Sequence, residues 1–185
     1  MRGNHAALTT RASAGAALAL LAAPLAPGAA EPSMEAIAFA SARDVPAALA
    51  VPAGHRLVLE AQVTGGTQAY RCGADGKYSF LGPTAMLRGH GGEYVVHYFG
   101  PSWQFQDGSV AVGKVLAKAP RANAIDQLLL EIIQHEGKPG LFSDVAYVLR
   151  LSTTGGVAPM SRDPARDTVL AVPYTAGYQF WGPAR

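Results

Sequence analysis

Residues 93–113 read Glu-Tyr-Val-Val-His-Tyr-Phe-Gly-Pro-Ser-Trp-Gln-Phe-Gln-Asp-Gly-Ser-Val-Ala-Val-Gly. Tyr94, Val96 and Tyr98 point one way and Val95, His97 and Phe99 the other, the period of two of a strand with two different faces. Gly100-Pro101 bends the chain, and Trp103 and Phe105 alternate into Asp107-Gly108. Asp-Gly accepts the positive φ of a tight hairpin turn. Val110, Val112 and Val115 continue the pattern. This stretch is a β-meander.

Working outward, Leu57, Leu59, Ala61 and Val63 alternate with Val58, Glu60 and Gln62, a strand with one buried face. Gly65-Gly66 reads as a turn, followed by a short strand around Tyr70. Ala74-Asp75-Gly76 is a second hairpin signal, Lys77 to Leu81 returns, and Gly82-Pro83 stops it. Later strands are expected at Val145–Leu151, Thr168–Val172 and Tyr178–Trp181, with a polar loop over Thr153–Arg166. One segment differs. Ile125, Leu128, Leu129, Ile132 and Ile133 recur at helical spacing, with Asn123 as N-cap and Gly137 as C′ residue, so the spacing predicts an amphipathic helix over about 123–136. The chain therefore reads as a mainly β, single-domain protein of about eight or nine antiparallel strands with one packed α-helix, a β-barrel first and a β-sandwich second. Composition agrees: 21 Gly and 13 Pro with only 15% charged residues fit many turns joining short strands, not a helical bundle.

Residues 1–30 read as a signal peptide ahead of a β-rich domain over 31–185. Arg2, His5 and Arg11 form a basic leader, Ala12–Ala26 is uncharged and Ala/Leu-rich, and Gly28-Ala29-Ala30 offers the small residues of a cleavage site after Ala30. The expected destination is periplasmic or secreted. The apolar run of about 15 residues is too short to span a bilayer, and no later segment could anchor the chain. Without residues 1–30 the chain carries 13 basic and 13 acidic side chains, which gives no charge-based case for nucleic acid. Cys72 is the only cysteine, so no intramolecular disulfide forms and thiolate-rich zinc sites are excluded. Cys72 itself reads as a buried small hydrophobe, with a nucleophile or an intermolecular disulfide as the alternatives.

Six ordered blocks carry a resemblance. Gly66-Thr67-Gln68-Ala69-Tyr70-Arg71-Cys72, His97-Tyr98-Phe99-Gly100-Pro101-Ser102-Trp103, Asp107-Gly108-Ser109, Leu128-Leu129-Leu130, Thr154-Gly155-Gly156-Val157-Ala158-Pro159 and Val172-Pro173-Tyr174-Thr175-Ala176-Gly177-Tyr178 resemble the family known as domain of unknown function 3455. The resemblance implies a small exported protein and no established activity. Some relatives carry a malate dehydrogenase label, but this chain has no G-x-G-x-x-G after a first strand and no βαβ rhythm. Relatives often have a second Cys just after the Gly-Gly-Val-Ala-Pro block, where this chain reads Met160-Ser161-Arg162-Asp163. If the relatives pair it with their match to Cys72, this chain lacks that staple.

Chemistry is sparse. No catalytic motif stands out, and Ser102 lacks a nucleophile elbow. The aromatic supply around residues 94–105 either fills a barrel lumen or lines an apolar cavity with a few orienting polar groups. In the cavity reading His97, Trp103, Phe99, Tyr98, Gln68, Tyr70 and Asp107 contact a small, partly apolar ligand. Gln104 is a further polar contact. His97 reads first as a hydrogen-bonded residue near the core and second as a polar contact in such a cavity. An enzyme reading would group His90, His97 and Asp107, with or without a metal; that spacing is scattered, so no metal site or cofactor is assigned and His90 and His97 are only its weak candidates. A third reading, an envelope interaction protein, turns the aromatics outward.

Overall fold

The computed structural model describes residues 45–160 and 169–184. The expected signal peptide, the segment 31–44 and residues 161–168 lie outside them. Eight antiparallel strands close into one barrel in sequence order: β1 His55–Cys72, β2 Tyr78–Gly89, β3 Tyr94–Tyr98, β4 Ser102–Phe105, β5 Ser109–Ala119, β6 Gln127–Gly137, β7 Tyr147–Gly155 and β8 Val169–Pro183. β8 pairs with both β7 and β1, so no sheet edge is left. Barrel, not sandwich, is the architecture. Among the described residues no helix is long and apolar enough to cross a membrane.

Side chains alternate between lumen and exterior. Ala61, Leu87, Val95, Trp103, Ala111, Leu130, Val148, Tyr178 and Phe180 are among those that build the continuous buried lumen core. A second, smaller cluster lies on the outside: Leu49, on the short 3-10 turn Ala47–Leu49, covers Leu129, Leu149 and Leu151. This turn, just ahead of β1, thus seals one outer face of β6 and β7.

The helix over 123–136 is overturned: most of it is strand β6, paired with β5 and β7. The physical reason is double burial. Leu128 and Leu130 enter the lumen while Leu129 faces the outer cluster, and apolar residues on both faces of a strand mimic helical spacing. Asn123 and Gly137 do break the regular backbone, at φ 57° and 75°, but in the turns that flank the strand.

Three expected stops also prove continuous. β1 runs through Gly65-Gly66, where the register slips between Val63 and Gly65. β2 runs through Gly82-Pro83, and β8 joins two expected strands. The slip in β1 matters most. Such a bulge moves the inward face from odd to even residues, because alternation has a period of two. Ala61 and Val63 belong to the lumen core before it, and Gln68 turns inward after it. Gly66 sits at the bend, where a Cβ would lie 2.9 Å from both Ala85 Cβ and Val63 Cγ1 and 3.0 Å from Tyr174 Cε1.

The two ends of the barrel differ. At one end the 3-10 turn Leu141–Asp144 inserts Phe142, fully buried, against Phe180 at 4.5 Å and Phe105 at 5.3 Å between ring centroids. Asp107 holds this plug in place. Its carboxylate accepts from Ser109 N (2.8 Å), Ser109 Oγ (2.6 Å) and Leu141 N (2.7 Å), while Phe142 N donates to Ser109 Oγ (3.1 Å). The Asp107-Gly108 hairpin turn is as expected, with Gly108 at φ 92°.

Candidate functional site

The other end opens into a cavity of about 520 Å³. Its floor is a cross-strand pair: His97 on β3 lies opposite Trp103 on β4, and their rings stack at 4.8 Å with a 4° interplanar angle. Tyr178 completes the floor, 5.4 Å from the His97 ring. Leu128, Leu130, Tyr70, Gln68 and Arg150 form walls, and Phe80, Phe99, Pro101, Val157 and Lys118 surround the mouth. Gly113 makes room for the indole, since a Cβ there would meet Trp103 Cζ3 at 3.0 Å. Eight strands is the barrel size at which side chains fill the interior or leave space for one small ligand. Here the lumen is filled at the plugged end and hollow at the other.

Polar groups are few and well defined. His97 Nδ1 lies 2.9 Å from the Ser102 carbonyl; a carbonyl only accepts, so Nδ1 carries the proton and Nε2 is the acceptor of the neutral ring. Burial lowers the His97 pKa to about 4, against a smaller upward pull from the Ser102 bond, with Arg150 adding to the lowering. The imidazole is neutral at pH 7. Burial likewise raises the Tyr70, Tyr174 and Tyr178 hydroxyls, so all three stay protonated. Tyr70 donates to the Gly156 carbonyl at 2.6 Å. Among the described residues, Trp103 Nε1 is a buried N–H with no hydrogen-bond partner, while the Gln68 amide meets the Tyr174 hydroxyl.

Arg150 is the residue that sequence reasoning missed. On β7 it shares the inward face with Val148 and lies in register with Leu128 and Tyr178. Its Nε and Nη2 donate to the Asp126 carbonyl at 3.1 and 2.8 Å. The signal was present as a single cation in the apolar run Val148-Leu149-Arg150-Leu151.

Of the expected contacts, the cavity brings together His97, Trp103, Phe99, Gln68 and Tyr70. Tyr98 is on the outer face of β3, Gln104 is exposed, and Asp107 is at the plugged end. His90 lies in the β2–β3 turn, its Nε2 3.9 Å from Glu60 Oε2, and is far more exposed than His97. The cluster of His90, His97 and Asp107 does not converge, because one member is inside the lumen and the other two are in turns at the plugged end. Among the described residues no three His, Cys, Asp or Glu side chains could share a metal ion. Cys72 is buried.

Fold and site together define an eight-stranded antiparallel barrel with an apolar lumen, plugged at one end and hollow at the other. Residues 52–182 match the model of a family described as "Protein of unknown function (DUF3455)", and the chain belongs to that family. No curated protein and no solved structure shows a significant match to the chain.

Proposed function

We propose that this is an exported binding protein that takes one small, partly apolar molecule into the open end of its barrel. The carrying observation is the hollow half of the lumen: about 520 Å³, within the range of small-molecule sites, with mainly apolar walls and a few polar groups. The unpartnered N–H group on Trp103 adds to this reading, since buried donors in proteins are normally satisfied. Export rests on the composition of residues 1–30.

The test uses the neutral fluorophore N-phenyl-1-naphthylamine on the Trp181→Phe protein, in which Trp103 is the one remaining tryptophan. We expect saturable 1:1 binding with energy transfer from Trp103. Leu128→Phe, which fills the cavity wall, should weaken it at least about fivefold while leaving the far-ultraviolet spectrum unchanged. Failure of the probe to saturate, or unchanged affinity in a folded Leu128→Phe protein, would overturn the proposal.

A further inference from the structure

Arg150 is a cation inside a barrel lumen, and such groups are ordinarily paired with a carboxylate. Here no carboxylate of the described residues lies within 4 Å of the guanidinium; its fixed acceptor is the neutral Asp126 carbonyl, engaged by Nε and Nη2. That bond holds the fork in one orientation, the Tyr178 hydroxyl accepts a further N–H, and two of the five donors remain for other partners. The buried groups around it among the described residues do not neutralise it. His97, Tyr70, Tyr174 and Tyr178, all within reach of its field, are neutral groups. Among the described residues that line the cavity, the charged side chains are Arg150, Lys118 and Asp126, so two cations face one carboxylate. The unpartnered group on Trp103 is also a donor.

Resting on the binding reading above, we infer that the ligand is an organic anion: an apolar body in the cavity and a carboxylate-type head that pairs with Arg150. A planar guanidinium already fixed along one edge presents its remaining N–H groups to two oxygens of one head, the geometry in which arginine binds carboxylates best.

The experiment displaces N-phenyl-1-naphthylamine at pH 7 with matched pairs, octanoate against 1-octanol and decanoate against 1-decanol. Each acid should displace the probe at a concentration lower by about tenfold or more than its alcohol. In Arg150→Met the acid-to-alcohol preference, read against that variant's own probe affinity, should collapse to about one, and Arg150→Lys should restore part of it. Equal potency of acid and alcohol in the unmodified protein, which needs no variant, overturns the anion inference and leaves the binding reading standing. A preference that survives in Arg150→Met overturns the assignment to Arg150. If the neutral probe and both series all fail to bind, the binding reading itself falls and takes the inference with it.

Discussion

Replacing Phe142 by alanine tests whether one end of the barrel is plugged. The ring is fully buried and lies at 4.5 Å from Phe180 and 5.3 Å from Phe105, on a four-residue 3-10 turn whose backbone Asp107 and Ser109 also hold. Truncating a buried phenylalanine costs about 3–5 kcal/mol, from lost transfer energy and the cavity left behind. Phe80 is the control: same residue type, 52% exposed, at the open mouth, with one ring neighbour, Tyr70, at 5.5 Å. Phe80→Ala should cost about 1 kcal/mol or less. Urea unfolding monitored by tryptophan fluorescence and far-ultraviolet dichroism would read both, at constant m-value. Because total stability is typically about 5–15 kcal/mol, Phe142→Ala can leave a marginal fold; Phe142→Leu, at about 1–2 kcal/mol, keeps the comparison measurable. If both Phe142 variants cost no more than Phe80→Ala, the turn is a surface decoration and the lumen core does not extend to it.

His97 sets a pH dependence. Its folded pKa, about 4, lies below the ordinary 6.5, so between those values the unfolded chain binds the extra proton. Stability from this group is complete above about pH 6.5 and declines by about 3 kcal/mol as pH falls toward 4. Denaturant titrations of the protein and of His97→Gln at pH 7, 5.5 and 4.5 should differ by that slope; parallel curves would refute a buried neutral imidazole. Gly66→Ala should cost about 1–3 kcal/mol, because the new methyl meets three lumen atoms at 2.9–3.0 Å. Its neighbour Gly65, with nothing within 4 Å of a Cβ, should accept alanine within about 0.5 kcal/mol, and equal costs would refute the bend at Gly66.

Much of the barrel is legible in local alternation. The stretch 93–113 folds as its pattern requires, with Val95 and His97 inside, Tyr94 and Val96 outside, and turns where Asp-Gly signals them. What alternation cannot convey is a change of face within one strand. Gly65-Gly66 and Gly82-Pro83 carry the composition of turns, yet each sits in a long strand whose irregularity is absorbed by a register slip across the β1–β2 pair. The same limit produced the false helix. Leu128-Leu129-Leu130 has no polar face because the lumen takes one side and the Leu49 segment the other. Periodicity measures how many faces are buried. It does not name the element that buries them.

The site follows the same logic, with one inversion. Aromatic residues of the 94–105 strand and Gln68 are recognisable as cavity candidates by type alone, and five of the seven expected contacts line one cavity. Arg150 is invisible by type, because a lone arginine in a strand is ordinarily the solvent-facing residue. In β7 that default fails for a countable reason. Leu149 and Leu151 are buried by the outer cluster and Val148 by the lumen, so both faces are apolar and neither is the solvated side on which a cation belongs. Once both faces are buried, the arginine must have a partner, and the Asp126 carbonyl supplies hydrogen bonds without charge. A cation in a doubly buried strand, in no ion pair among the described residues and at a cavity with two cations to one carboxylate, points to a counter-charge brought from outside. That turns a packing oddity into a statement about ligand chemistry.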